Sequence, residues 1–198
     1  MPWPKLSKSR TSEPAPKPAA PKASAASPAE QRLQKLARKL DAIPAKDAQR
    51  IALAQEIERK QHQAAAELYQ LCAAFVASLN KVLSEMKVEF SPAGYSSEKL
   101  DTPNGSLFQI NASGRIIQIT LHCKETTAST EHFRVPYILE GRIRSFNQDL
   151  LDRQEIHEHQ IFYCVDRAGD AWRFFNTRTR TSGRITTDFL IDALEELV

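Results

Sequence analysis

The stretch Arg115-Ile116-Ile117-Gln118-Ile119-Thr120-Leu121-His122-Cys123 decides the fold class. Successive side chains of a strand point to opposite faces. Here Ile117, Ile119, Leu121 and Cys123 fall on one face and Gln118, Thr120 and His122 on the other. One face therefore belongs to a core and the other to water, the pattern of an antiparallel sheet wetted on one side.

Working outward, β-branched and aromatic runs recur at residues 88–90, 107–111, 115–123, 133–147, 157–166 and 171–176, which predicts about six strands. Asn111-Ala112-Ser113-Gly114 and Arg167-Ala168-Gly169-Asp170 are short enough to close antiparallel hairpins. Within 133–147, Phe133, Val135, Tyr137, Leu139 and Ile143 alternate with charged residues, and Pro136 removes a ladder donor, which predicts an edge or a bulge.

Ahead of the strands, residues 45–87 contain neither Gly nor Pro, and helix formers dominate, so one long helix is expected there. Leu68, Leu71, Phe75, Leu79, Val82 and Met86, with Leu83 beside them, form its apolar stripe and should face the core. The half from 47 to 63 has a thinner stripe of Ile51, Ala54 and Ile57 and should project. Before it, Ser27-Pro28-Ala29-Glu30 is a helix start, and Leu33, Leu36, Leu40 and Ile43 recur at spacings of three and four. This short helix should halt before Pro44, with Asp47 capping the long one. At the far end Thr186 or Thr187 can cap a last helix bearing Phe189, Leu190, Leu194 and Leu197.

The fold class is α+β: a long N-terminal helix, an antiparallel meander of about six strands and a C-terminal helix. Residues 1–26 read as a disordered basic arm, 27–87 as a helical segment, and 88–198 as a sheet with its closing helix, the last two packed as one domain. The arm follows from composition. Residues 7–29 contain only Ser, Thr, Ala, Pro, Lys, Arg and Glu, which bury too little apolar surface to offset chain entropy.

The chain's 198 residues suit one ordinary core. No apolar run is long enough to span a membrane, and the opening MPWPKLSKSR lacks the apolar core of a signal peptide, so a cytoplasmic protein without membrane contact is expected. Three cysteines, Cys72, Cys123 and Cys164, form no CxxC pair and suit buried thiols better than disulfides or zinc ligands. Neither an internal repeat nor a glycine-rich phosphate loop is present. Charge is uneven: nine Lys or Arg against two Glu give residues 1–40 a charge of +7, and since the chain totals +3, residues 41–198 carry −4.

Two constellations carry possible chemistry. His157 and His159 share a strand face and, with His122 as a third group, would make a metal or enzyme site on the sheet; the plainer reading is solvated or hydrogen-bonded surface imidazoles, with no metal and no cofactor. Cys123 and Cys164 neighbour His122 and Tyr163, but adjacent strand residues face apart and make no catalytic pair. More concentrated is the run from Trp172 to Arg184, in which Arg173, Arg178, Arg180 and Arg184 meet no acid before Asp188. Read as a loop leading into a helix start, it offers guanidinium forks, hydroxyls and amides to phosphate oxygens, with aromatics nearby to stack on bases. Read plainly, it is a connection whose arginines pair with local carboxylates.

The expectation is a non-catalytic interaction module whose basic arm and loop contact nucleic acid or another polyanion, and whose long helix offers a surface to a protein partner. The alternatives are a small enzyme using the three histidines and a helix-mediated structural oligomer. An apolar stripe left bare along 47–63 would favour the last.

Overall fold

The computed structural model describes residues 27–96, 100, 106–130, 133–166 and 169–198. The expected disordered arm, residues 1–26, lies outside the described residues, as do His132 and half of the Arg167–Asp170 turn. The chain divides into two units, Met1–Ala45 and Lys46–Val198.

In the first unit, α1 (Pro28–Asp41) starts as its sequence dictates. Ser27 Oγ accepts from the Glu30 amide at 3.2 Å, the Glu30 carboxylate accepts from the Ser27 amide at 2.6 Å, and Pro28 occupies the first turn. No residue of α1 is buried. The break falls at Ala42, and α2 (Ile43–Val82) already includes Pro44. A first-turn proline gives up an N–H that has no helical partner anyway, so Pro44 starts this helix where it was expected to stop the previous one, and Asp47 lies inside it.

In the second unit α2 stays exposed as far as Glu56 and enters the core at Ile57. Ile57, Gln61, Ala64, Ala65, Leu68, Cys72, Phe75 and Val76 are its buried face. The stripe thus runs through Ala64, Ala65 and Cys72, while Leu71, Leu79 and Leu83 pack only partly. Val82, at 79% exposure, and Met86 lie outside the core, contrary to the expected stripe. Asn80 explains the early end: its side-chain amide donates to the Val88 carbonyl and accepts from the Val88 N–H, both at 2.8 Å. That clamp draws the chain off the helix and turns Val88, 1% exposed, into the core.

Seven strands follow in sequence order, each antiparallel to the next: β1 (Glu89–Ser91), β2 (Leu107–Ala112), β3 (Arg115–Ala128), β4 (Tyr137–Phe146), β5 (His157–Cys164), β6 (Ala171–Phe175) and β7 (Ser182–Arg184). The meander is as expected, with a seventh strand and a short helix, α3 (Gln148–Asp152), added. Ser113 and Gly114, at φ of +50° and +85°, form the two-residue turn between β2 and β3, and the Asn111 side chain accepts from the Gly114 N–H at 2.9 Å. The closing helix α4 (Thr187–Glu195) is capped by Thr186.

Pro136 precedes a bulge, one of the two expected alternatives. The β3–β4 register shifts between Cys123 and Ala128, and the β4–β5 register between Tyr137 and Leu139. Tyr137 therefore joins the opposite face from Leu139. Gln61 of α2 serves this irregular stretch, donating to the carbonyls of Lys124 at 2.7 Å and Ile138 at 2.8 Å. Helix and sheet are also tied by Trp172, whose indole N–H donates to the Ala64 carbonyl at 2.8 Å. The face of the sheet bearing Ile117, Ile119, Leu121, Leu139, Ile143 and Ile161 forms one core with α2 and α4, as the first alternation predicts.

Candidate functional site

The register assigns the other face of the sheet. His122, Glu140, Phe162, Arg173 and Arg184 are cross-strand neighbours in one row from β3 to β7; Arg142, Gln160, Phe175 and Ser182 form the next row, and Arg144 and Glu158 begin a third. This face mixes charged side chains with an aromatic cluster and, at Arg142 and Arg184, is solvent-exposed.

Its carboxylates are already engaged. Glu158 accepts from Arg144 Nε at 2.8 Å and lies 3.6 Å from Arg142 Nη1. Glu140 pairs with Lys124 at 2.8 Å and accepts from the Tyr137 hydroxyl at 3.3 Å. The contact with Glu140 raises the Lys124 pKa above its ordinary value. Among the described residues, Arg173, Arg178, Arg180 and Arg184 make no ion pair. Arg173 Nε is buried with no hydrogen-bond partner among the described residues. Its guanidinium lowers the pKa of Cys164, but burial prevails and pushes that thiol up to about 11, which leaves it protonated and unreactive at neutral pH.

The Trp172–Arg184 run is a hairpin and not a simple lead into a helix. Asn176 forms the turn: its N–H donates to the Thr181 carbonyl at 2.9 Å, and its side-chain oxygen accepts from the N–H groups of Arg178 at 2.9 Å and Thr179 at 3.1 Å. Arg180 closes the loop at φ +57°. The four arginines therefore divide into two groups. Arg178 and Arg180 stand exposed at the tip, while Arg173 and Arg184 face each other across β6 and β7. Gly183 pairs with Phe174 across β6 and β7, and a Cβ there would lie 2.8 Å from the Phe174 ring, so a side chain would crowd it.

The aromatics divide as well. Trp172 and Phe174 point into the core, where Phe174 stacks on Phe189 at 4.6 Å. Phe175 alone of the three shares the arginine face, packed half-buried against Phe133 in a cluster with Tyr137, Phe162 and Cys164. Beside that cluster a depression of about 410 Å³ is lined by His122, Thr130, Tyr137, Glu140, Arg142, Gln160 and Phe162.

The histidines do not assemble. His122 lies on the open face, whereas His157 and His159 lie on the core-side face, where the nitrogen Nδ1 of His157 meets Glu196 at 2.8 Å and His159 packs edge-on to Phe174 and Phe189. Among the described residues no group of three His, Cys, Asp or Glu is placed to hold a metal, and no helix is long and apolar enough to cross a membrane. Asn176 is the site residue that sequence reasoning passed over; its signal was an Asn two residues before the first tip arginine, an ordinary Asx-turn cue.

Comparison with protein-family models, curated proteins and solved structures gave no match. The functional reading therefore rests on the geometry of this chain.

Proposed function

We propose that this protein is a non-catalytic binding module that takes a polyanion, nucleic acid in the first instance, on the β6–β7 part of the open sheet face. The observation that carries the reading is the Arg173–Arg184 pair. Like charges directly opposite on neighbouring strands destabilise a sheet, and here they stand without a carboxylate among the described residues, while the nearby Arg142 and Arg144 share Glu158. A phosphate between the two guanidinium groups would turn that repulsion into attraction. Arg178 and Arg180 at the hairpin tip extend the basic track towards a longer strand, and the basic N-terminal residues add charge without defined geometry.

The test is binding of single- and double-stranded oligonucleotides across a salt series. Each phosphate contact contributes roughly −0.7 to −0.9 to the slope of log K against log salt. Arg173→Ala with Arg184→Ala should weaken binding and reduce the slope by about 1.4 to 1.8, and Arg178→Ala with Arg180→Ala should act in the same direction. Absence of any salt-dependent binding by the intact chain at low ionic strength would overturn the proposal.

A further inference from the structure

The row that carries the opposed arginines leads into the depression on the same face. Glu140, Phe162, Arg173 and Arg184 are successive cross-strand neighbours. Glu140 therefore stands two strand spacings, about 10 Å, from Arg173. A phosphate on Arg173 would carry its sugar and base over Phe162 and towards Glu140. The depression measures about 410 Å³, which is small for a ligand site and has room for one base but not for a duplex or a peptide helix.

Its lining offers hydrogen-bonding edges more than stacking faces. Tyr137 and Phe162 are only 2% and 4% exposed, and Phe162 is already stacked on Phe133 at 4.4 Å. Glu140 and Arg142, two residues apart on one face of β4, set an acceptor beside a donor at a spacing of about 7 Å. Lys124 holds one oxygen of Glu140 at 2.8 Å and the Tyr137 hydroxyl donates to the other at 3.3 Å, which orients the carboxylate. An ionised carboxylate has about four lone-pair sites, so each oxygen can still accept from a ligand. Arg142 Nη1 lies 3.6 Å from Glu158, too far for a hydrogen bond, and its donors remain available.

Among the bases guanine matches this pair. Its Watson–Crick edge places the N1–H and the 2-amino group side by side, two donors that one carboxylate accepts together, and its O6 and N7 are the acceptors that an arginine fork takes. Adenine, cytosine and thymine each bring a single donor group to that edge, flanked by an acceptor that would face the Glu140 carboxylate.

We propose that this depression reads an unpaired guanine of a single strand whose phosphate lies on Arg173 and Arg184, with Glu140 accepting from N1–H and the 2-amino group and Arg142 donating to O6. The assignment rests on the polyanion reading above and gives it a substrate class. A complementary base would occupy the same edge, so paired guanine is shut out.

The test titrates the intact chain with three strands of equal length: oligothymidylate, the same strand carrying isolated guanines, and that strand with inosine in place of guanine. The guanine strand should bind at least about fivefold more tightly than oligothymidylate. Inosine, which lacks the 2-amino group, should lose most of that gain, and annealing the complement should remove it. Glu140→Gln should erase the preference while keeping the affinity for oligothymidylate, since Glu140 touches no phosphate. Guanosine monophosphate offers the same base and phosphate but cannot reach Arg178 and Arg180, and should bind far more weakly than the strand. Equal binding of guanine and thymidine strands, with salt-dependent affinity that still needs Arg173 and Arg184, overturns the guanine subsite and leaves the polyanion reading standing. A preference that survives both the inosine exchange and Glu140→Gln, or a monophosphate that binds as tightly as the strand, also overturns it. Absence of binding to every strand overturns both readings.

Discussion

A proton on His159 would be costly. Its ring is half-buried against Phe174 and Phe189, and that burial lowers its pKa below 6.5; the nearby Glu196 opposes the shift and His157 adds to it. The nitrogen Nε2 faces the Asn176 side-chain nitrogen at 3.1 Å, an arrangement that works while the imidazole accepts and the amide donates. Protonation would set two donors against each other, and turning the amide over would give up the acceptor that holds the Arg178–Thr179 turn. Because the folded state disfavours the charged form, the unfolded chain binds more protons just below pH 6.5. The stability contributed by neutral His159 should therefore be complete above pH 6.5, decline as pH falls below it, and level off beneath the folded pKa. Thermal melts between pH 7.5 and 5 check this, and His159→Gln should flatten the profile through that window. Space sets a second test at the residue scale. A Cβ on Gly141 would run into the Thr120 carbonyl oxygen and come within 3.2 Å of Ile161, while one on Gly94 would meet nothing within 4 Å. Gly141→Ala should cost about 1 to 3 kcal/mol by denaturant titration, and Gly94→Ala should stay within about 0.5 kcal/mol.

At the scale of elements, α2 is held by the spacing Leu68, Cys72, Phe75 and Val76, and its end is fixed by Asn80. Phe75→Ala should cost about 3 to 5 kcal/mol, whereas Val82→Ala should stay within about 0.5 kcal/mol because that side chain is already in water. Equal effects at the two positions in urea titrations would refute this account of the helix. Residue spacing alone makes both positions look like core, since Val82 continues the stripe of Phe75 and Leu79. What removes it is a side-chain clamp onto Val88, a long-range event that helical periodicity does not record. The sheet was more legible, because alternation within Arg115–Cys123 and the short turn at Ser113-Gly114 are local. β7 was hidden for the opposite reason: Thr181-Ser182-Gly183-Arg184 has no apolar alternation, and Gly183 reads as a loop until the Phe174 ring that needs its bare Cα is in place. The candidate site shares this limit. Composition singles out Arg173, Arg178, Arg180 and Arg184, but only the register of β6 on β7 separates an opposed pair from two tip residues. In the same way, His157 and His159 share a face by spacing alone, while the placing of His122 on the other face needs the ladder between β3 and β5.

For the whole molecule the deciding quantity is where charge resides. Residues 1–40 carry +7 and the remainder −4. On the proposed reading a polyanion approaching the sheet would meet a region of unfavourable net charge with a favourable local patch, so binding there should depend on short-range contacts and fall away once Arg173 and Arg184 are removed. Any binding by the N-terminal residues should have the reverse character, governed by net charge and indifferent to geometry or base sequence. The two contributions should separate on truncation. A chain beginning at Ser27 loses Lys5, Lys8, Arg10, Lys17 and Lys22 with Glu13, and should bind oligonucleotides more weakly and with a shallower salt slope. The preference of the remaining binding among oligonucleotides should be unchanged, since the sheet patch is intact. Arg173→Ala with Arg184→Ala in the full chain should do the converse, keeping most of the salt-dependent affinity while erasing any preference between single and double strands. If the truncated chain loses all binding and the double arginine variant loses none, the N-terminal segment is the whole polyanion site, and the opposed arginines on β6 and β7 have another purpose.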